Sequence, residues 1–155
     1  MRWGVLSLIG ATAVLFGSSG VLRAGDAVRV TIVVVLATTE NKDVNPKLVA
    51  LAEEVQKRDA KLTGFKVATT LEKSIPVGES HTFPLPDKQK LKVTIERPRD
   101  AEGRIGLTIS PPCLGDITYC CSCSKFFPVV TPHKTEKGET LIVAIMAKPC
   151  PGKNP

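Results

Sequence analysis

One stretch of the sequence decides the fold: Val28-Arg-Val-Thr-Ile-Val-Val-Val-Leu-Ala37. Its β-branched residues favour an extended strand over a helix. The second half is apolar at every position, so both sides of the strand need cover. Strands of this kind lie in the middle of a sheet. We therefore expect a central, buried strand over residues 28–37.

An amphipathic helix is expected next, from Asn45 to about Asp59. Asn45 is a preferred N-cap, and Pro46 suits the first helical position, where a missing N–H costs nothing. Apolar residues recur at helical spacing and share one face; they are Leu48, Leu51, Ala52 and Val55. That face predicts packing against a sheet.

From Gly64 onward the apolar period becomes two, which is typical of strands with one buried face. Two such runs, Leu91–Ile95 and Ile105–Ile109, flank a turn at residues 100–103 and predict a β-hairpin. Residues 74–78 are expected to form a turn or an irregular edge.

The last third of the chain predicts a cysteine-bearing strand at about residues 117–124 and a final strand over 139–148. Between them, residues 126–130 are apolar and expected to pack on the core, and residues 131–138 are expected to form a polar loop. The final strand is almost wholly apolar from Leu141 to Ala147, so it too is predicted to be central.

These elements predict an α+β fold: a mostly antiparallel sheet, or a small sandwich, of about seven strands with one amphipathic helix packed on it. Only the connection through the helix is long enough to join a parallel pair. Residues 25–148 are expected to form a single domain, and residues 149–155 a proline-rich tail.

Residues 1–24 have the layout of a secretory signal peptide. A charged start at Arg2 precedes an apolar run from Val5 to Phe16, and Ala24 is a small residue at the expected cleavage site. The run is shorter than the roughly 20 apolar residues that a membrane span requires. We therefore expect cleavage after Ala24, export to the periplasm or the extracellular space, and no transmembrane segment in what remains.

The charge balance is basic, with 21 Lys+Arg against 15 Asp+Glu, but the two signs are interspersed. Aromatic residues make up only 5% of the chain, so no stacking platform accompanies the cations. Nucleic-acid binding is therefore not expected.

Four stretches carry a resemblance to a known group. They are Lys61–Val67, Ser74–Ser80, Ser124–Pro132 and Gly138–Cys150. Together they resemble small exported proteins of unknown function from planctomycete-like bacteria. The resemblance spans nearly the whole chain after the leader. It implies secretion and a single domain, and it supplies no site residues.

All five cysteines lie in the last third, at positions 113, 120, 121, 123 and 150. In an oxidising compartment cysteines usually pair. If the strands flanking residues 131–138 form a hairpin, Val130 lies near Thr140. Extending that register places Cys150 opposite Cys120 or Cys121, and we expect a disulfide to one of these two.

A metal site is the alternative. Cys120, Cys121, Cys123 and Cys150, with His133, would offer soft ligands for Cu(I) or Zn(II). The spacing C-C-x-C differs from the paired C-x2-C of standard zinc sites. On a strand, Cys121 and Cys123 also share a face that Cys120 does not. Residues 120–123 match the C-x-x-C pattern of thiol-redox proteins. They lie in a predicted strand, however, whereas the redox motif stands at the start of a helix.

No catalytic residues and no cofactor are expected. His81 and His133 are the only histidines, and neither has a partner visible in the sequence for a nucleophilic triad. The leading hypothesis is therefore a non-enzymatic binding or structural module of the cell envelope, with a protein or an envelope component as partner. The alternative is a periplasmic metal-binding or thiol-redox protein that uses the cysteine cluster.

Overall fold

The structure is a computed structural model that describes residues 27–150. The expected signal peptide (residues 1–24) and residues 151–155 of the expected tail lie outside the described part. Within it the chain forms eight strands and one short α-helix. The strands are β1 (Ala27–Thr38), β2 (Gly64–Pro76), β3 (Ser80–Pro84), β4 (Lys90–Arg97), β5 (Arg104–Ser110), β6 (Ile117–Ser122), β7 (Phe127–Lys134) and β8 (Thr140–Pro149).

The strands form two four-stranded sheets. Sheet 1 has the order β2-β1-β8-β7 and sheet 2 the order β3-β4-β5-β6. All pairs within them are antiparallel. The antiparallel, β-rich architecture is confirmed, and the expected sheet or small sandwich of about seven strands is corrected to eight strands in two sheets of four.

The connection from β1 to β2 does not make a parallel crossover. β2 begins at Gly64, directly opposite Thr38 at the end of β1, so the chain returns beside the strand it has just left. The helix α1 (Val49–Gln56) lies within this wide connection. Its eight residues end earlier than the expected Asp59.

The start of the helical segment follows the prediction closely. The side chain of Asn45 accepts a hydrogen bond from the backbone N–H of Lys47 at 3.0 Å. Pro46 opens a 3-10 turn, Pro46–Leu48, that leads directly into α1. The cap and the proline therefore begin a tight turn first and an α-helix only afterwards.

Both expected central strands are confirmed, because β1 lies between β2 and β8, and β8 lies between β1 and β7. The predicted hairpin is confirmed as β4 and β5. Its turn includes Gly103 at φ +75°, a left-handed conformation that glycine adopts without strain.

Two elements differ from expectation. β2 continues through residues 74–76 as a regular strand, so the turn begins only after Pro76. Residues 131–134, expected in a loop, belong to β7, which brings the number of strands from the expected seven to eight. β7 contains Pro128 and Pro132, and proline within an apolar run argues against a strand. An edge strand nevertheless tolerates proline, because the backbone groups on its outer side need no partner.

The main core fills the space between the two sheets. It takes alternate residues from β1 and β8 on one side and from β4 and β5 on the other. Its fully buried members include Ile32, Leu91, Ile95, Leu107 and Ile145. This alternation is the period-two pattern that predicted the strands.

None of the helices that the structure describes between residues 27 and 150 has the length and apolarity needed to cross a membrane.

Candidate binding groove

The outer face of sheet 1, turned away from the main core, is also apolar. Along β1 the residues on this face include Val33, Val35 and Ala37, and along β8 they include Ile142 and Ala144. This explains why both central strands lack polar positions in these stretches. One face of these strands packs in the main core, and the other face must be covered by another part of the chain.

The helix α1 covers only one end of this outer face. Ala52 and Val55 of α1, with Leu48 just before it, pack on Val35 and Ile142 in a second apolar cluster. Val55 is 0% exposed. Eight residues of helix rise only about 12 Å, which is too short to span the face. The apolar surface beyond the helix therefore stays open.

The uncovered part forms a groove with a volume of about 800 Å³. Its floor is the outer face of sheet 1, one wall is the helical segment, and the opposite wall is the connection from β6 to β7. The lining includes Val33, Val67, Thr70, Pro128 and Ala144 on the floor, Lys47, Leu48, Leu51 and Glu54 on the helix side, and Lys125 and Phe126 on the opposite wall.

Phe126 corrects one sequence expectation. It was expected to pack on the core with its neighbours, but its side chain is 43% exposed and lines the groove. Phe127 and Val129, in contrast, pack against the main core. Phe126 precedes β7 in the connection that carries the chain from sheet 2 to sheet 1, and Ser124 in this connection has φ +69°.

The charges at the groove are predominantly positive. Glu54 is already paired, because its Oε2 lies 3.1 Å from Nζ of Lys57. Lys47 and Lys125 form no salt bridge with any carboxylate among residues 27–150. The groove thus combines an apolar floor with two uncompensated cations at its rim.

The cysteines do not form the expected disulfide in this structure, where all five are free thiols. The assumption behind the predicted disulfide was correct only in part. A hairpin does flank the predicted loop, with Val130 opposite Ile142. The strand that forms this hairpin with β8 is β7, however. Cys120 and Cys121 lie on β6, in the other sheet.

The sulfur atoms have separate surroundings. Nη2 of Arg97 donates to Sγ of Cys120 at 3.4 Å, and the thiol of Cys121 donates to the carbonyl oxygen of Ile105 at 3.6 Å. The thiol of Cys150 donates to Oγ of Ser74 at 3.4 Å. Its backbone N–H donates to the carbonyl oxygen of Ala27, which ties the start of the expected tail to the sheet.

Cys121 is the buried member of the cluster. Burial, and secondarily the nearby thiol of Cys123, raise the pKa of Cys121 from its ordinary 9.0 to about 11. Cys121 and Cys123 both contact the main core while Cys120 is exposed, so the predicted division between the faces of the strand is confirmed. A thiol with so high a pKa is a poor nucleophile at neutral pH.

The weak metal candidates are not brought together. In residues 27–150, which contain all five cysteines and both histidines, no group of three or more His, Cys, Asp or Glu side chains could hold a metal ion. His133 lies instead beside Asp87, with Nε2 at 3.2 Å from Oδ2. His81 packs edge-on against Phe83, with the ring centroids 4.8 Å apart.

A smaller hollow of about 250 Å³ lies on the outer face of sheet 2, lined in part by Arg97, Arg99, Arg104 and Cys120. Arg104 is held by Asp100 and Glu102, at 3.0 Å and 3.2 Å. Its bonds to Asp100, above all from the backbone N–H of Arg104, keep the pKa of that carboxyl below its usual value. The carboxylate of Asp100 therefore stabilises the turn and is a poor general base.

The sequence did not reveal the groove residues as a set. The sequence predicts Val33 and Ala144 as ordinary buried positions of central strands, and Leu51 as part of a fully packed helix face. The available signal was a mismatch of lengths, since both central strands are apolar on two faces over a longer distance than one short helix covers.

Comparisons of this chain with protein-family models, curated proteins and solved structures found no match.

Proposed function

We propose that this chain is a non-enzymatic binding module of the cell envelope, which captures an apolar segment of a partner protein in the groove beside α1. One observation carries the proposal: the apolar outer face of sheet 1 is covered by α1 at one end and left open over about 800 Å³ beside it. Exposed apolar surface of this kind marks interaction sites in soluble proteins.

The chemistry of the groove defines the partner segment. Its floor takes aliphatic or aromatic side chains, and Phe126 offers a large, partly exposed apolar contact. The uncompensated cations Lys47 and Lys125 favour acidic residues in the partner. Charge complementarity at a rim raises association rates and selects partners. The partner segment is therefore apolar at its centre and acidic at its flanks.

The proposed location in the cell envelope depends on the predicted signal peptide. The layout of residues 1–24 supports export, and so does the resemblance to small exported proteins. Partner binding does not depend on it, and the two parts of the proposal are tested separately.

Binding is tested with a phage-displayed library of random ten-residue peptides selected on the protein. Phe126→Ser removes the aromatic wall of the groove, whereas Leu114→Ser removes a similarly exposed apolar side chain outside the groove lining. Phe126 and Leu114 are 43% and 39% exposed, so the two substitutions are matched in exposure. We expect Phe126→Ser to weaken the selected peptides at least tenfold and Leu114→Ser to leave their affinity unchanged.

A second matched pair tests the helix side of the groove. Leu51→Glu places a charge in the groove, and Val49→Glu places the same charge on the same helix at a position 48% exposed and outside the lining. Only Leu51→Glu is expected to abolish binding. Equal effects of the two substitutions, or no enrichment of any peptide, would overturn the proposal.

A further inference from the structure

The groove floor contains one row of residues that crosses all four strands of sheet 1. Val33 of β1 lies opposite Thr70 of β2 on one side and opposite Ala144 of β8 on the other. Ala144 in turn lies opposite Pro128 of β7, and all four residues line the groove. The groove therefore runs across the strands, from the β2 edge of the sheet to the β7 edge.

The next row on the same face is the one that α1 covers. Its four residues also face one another across the four strands and belong to the second apolar cluster; they are Val67, Val35, Ile142 and Val130. The helical segment contacts β2 through its 3-10 turn and β7 through α1, so it too crosses the sheet from edge to edge. The helical segment and the groove thus lie side by side and run in the same direction.

The side of the helical segment that faces the groove has helical spacing. The residues that line the groove from this side are Lys47, Ala50, Leu51 and Glu54, at positions i, i+3, i+4 and i+7. A second helix packs against such a stripe with the two axes about 8–10 Å apart. Successive rows on one sheet face are about 6.6 Å apart, so a helix at that distance from α1 lies over the groove floor. The small side chain of Ala50 permits the close approach.

The backbone of a bound segment finds few hydrogen-bond partners in the groove. An extended segment would place its N–H and C=O groups over apolar side chains such as Val33 and Pro128, and burying unpaired polar groups is costly. The strands at the two ends of the groove offer no substitute, because β2 has a β-bulge and exposed charges and β7 has two prolines. An α-helix pairs its backbone groups internally, so it fits this surface without that cost.

The length and the charges of the groove fit a short helix. Four strands about 4.8 Å apart place the outer two about 14 Å from each other, which corresponds to about ten helical residues. Lys47 lies in the 3-10 turn beside β2, and Lys125 comes just before β7. The two uncompensated cations are therefore at opposite ends of the groove, where each can meet an acidic side chain.

We propose that the partner segment binds as an α-helix of about ten residues, packed beside α1 and across the four strands of sheet 1. This inference rests on the proposed binding function and adds the conformation of the partner. The bound helix has apolar residues three and four positions apart on the face turned to the sheet, and an Asp or Glu in its first and last turns. Binding of an amphipathic helix in a groove draws its affinity from such an apolar stripe.

The selected ten-residue peptides test the conformation directly. We expect apolar residues at spacings of three and four, with Asp and Glu enriched near both ends. In a synthetic copy, proline at a central position interrupts a helix, whereas proline at the first position is compatible with one. Central proline is expected to weaken binding at least tenfold, and proline at the first position by less than about twofold. The far-ultraviolet circular dichroism of the complex, minus that of the protein, should show that the peptide gains helix on binding.

Charge reversal tests the two ends of the groove. Lys47→Glu and Lys125→Glu are each expected to weaken the peptides at least fivefold. Lys61→Glu makes the same change at an exposed position outside the lining and should leave the affinity unchanged. Replacing the acidic residue at one end of the peptide with lysine should restore binding to one groove variant only, and the same change at the other end should restore it to the other. The pattern of rescue gives the direction of the bound helix.

Three outcomes would overturn the inference. Peptides with apolar residues at alternate positions, weakened by Phe126→Ser but tolerant of central proline, would keep the groove and reject the helix. Unchanged affinity in both Lys47→Glu and Lys125→Glu would reject the acidic ends. A protein dimer in gel filtration that Leu51→Glu dissociates would show that a second copy occupies the groove. Failure of the library to yield any peptide dependent on Phe126 would instead reject the proposed function itself.

Discussion

At the scale of single residues, Cys120 and Cys121 show how strand geometry separates two neighbours. Successive side chains of β6 point to opposite faces, so Cys120 is exposed beside Arg97 and Cys121 is 1% exposed in the main core. Their chemistry differs accordingly. The raised pKa of Cys121 is a direct consequence of burial.

The pKa of Cys121 predicts a change of stability with pH. In the unfolded chain the thiol ionises near its ordinary value of 9.0, and in the folded protein near 11. The contribution is therefore fully present below pH 9 and is lost as the pH rises toward 11. At pH 11 the free energy of unfolding is expected to be about 2 kcal/mol lower from this group alone.

Chemical denaturation at pH 8 and pH 11 measures this loss. Other groups titrate in the same range, so the quantity of interest is the difference between the parent and Cys121→Val. The loss should shrink in that variant and persist in Cys120→Ala, which removes the exposed neighbour. A Cys121→Val protein with the full pH-dependent loss would contradict the assignment.

Burial also predicts the order of thiol labelling. Cys113 and Cys120 are exposed, Cys123 and Cys150 are partly buried, and Cys121 is buried. With a maleimide at neutral pH, the two exposed thiols should react first and Cys121 last, by at least tenfold. Peptide mapping by mass spectrometry at successive times follows the order, and early labelling of Cys121 would show that β6 opens readily.

At the scale of elements, α1 is held by tertiary packing rather than by its own propensity. Eight residues are too few to form a stable isolated helix in water. The side chain of Val55, 0% exposed against sheet 1, supplies much of what holds it. The groove wall therefore depends on the same contacts.

Val55→Ala is expected to lower the free energy of unfolding by about 2–3 kcal/mol, since it deletes buried methyl groups and leaves a cavity. Val49→Ala, at a position 48% exposed, should change it by less than about 0.5 kcal/mol. Urea denaturation of both variants gives the comparison. Equal small effects would mean that α1 does not pack as the structure shows.

The N-cap of the 3-10 turn that leads into α1 gives a further measurement. Asn45→Ala removes the side-chain acceptor for the N–H of Lys47 and is expected to cost about 1 kcal/mol. Asn45→Asp keeps an acceptor there and should retain most of the stability. Thermal unfolding of the two variants separates loss of the cap from a general effect of substitution.

At the scale of the whole molecule, the proposed export predicts the form of the mature chain. Mass spectrometry under non-reducing conditions, on protein from the native compartment, should show an N-terminus at Gly25 and loss of residues 1–24. It also reports the state of the five thiols. Protein that retains Met1 would remove the envelope from the proposed function while leaving the groove and its binding test intact.

Much of the fold could be predicted because its signals are local. The apolarity on both faces of residues 32–37 and 141–147 indicated central strands, and the alternation of residues 91–95 and 105–109 indicated a hairpin. Asn45-Pro46 marked the start of the helical segment. Each of these patterns acts within one turn of helix or one strand pair.

Which strands belong to which of the two sheets could not be predicted in the same way. The register extrapolated from Val130 and Thr140 assumed that residues 120–130 continue one strand beside the last strand. The chain instead leaves sheet 2 after Ser122 and enters sheet 1 at Phe127, so the cysteine-bearing strand β6 and β8 do not pair. Local sequence patterns do not indicate which of the two sheets a strand joins.

The amino-acid order alone determined seven of the eight strands, which two of them are central, and where the helical segment begins, because these depend on side-chain periodicity and backbone chemistry. Only the tertiary structure decided that residues 127–134 form an eighth strand, that α1 covers one end of sheet 1, and that Phe126 turns outward. Those features depend on the lengths of elements distant in sequence and on how they meet in space. The candidate site belongs to this second kind, since it is the surface that packing leaves uncovered.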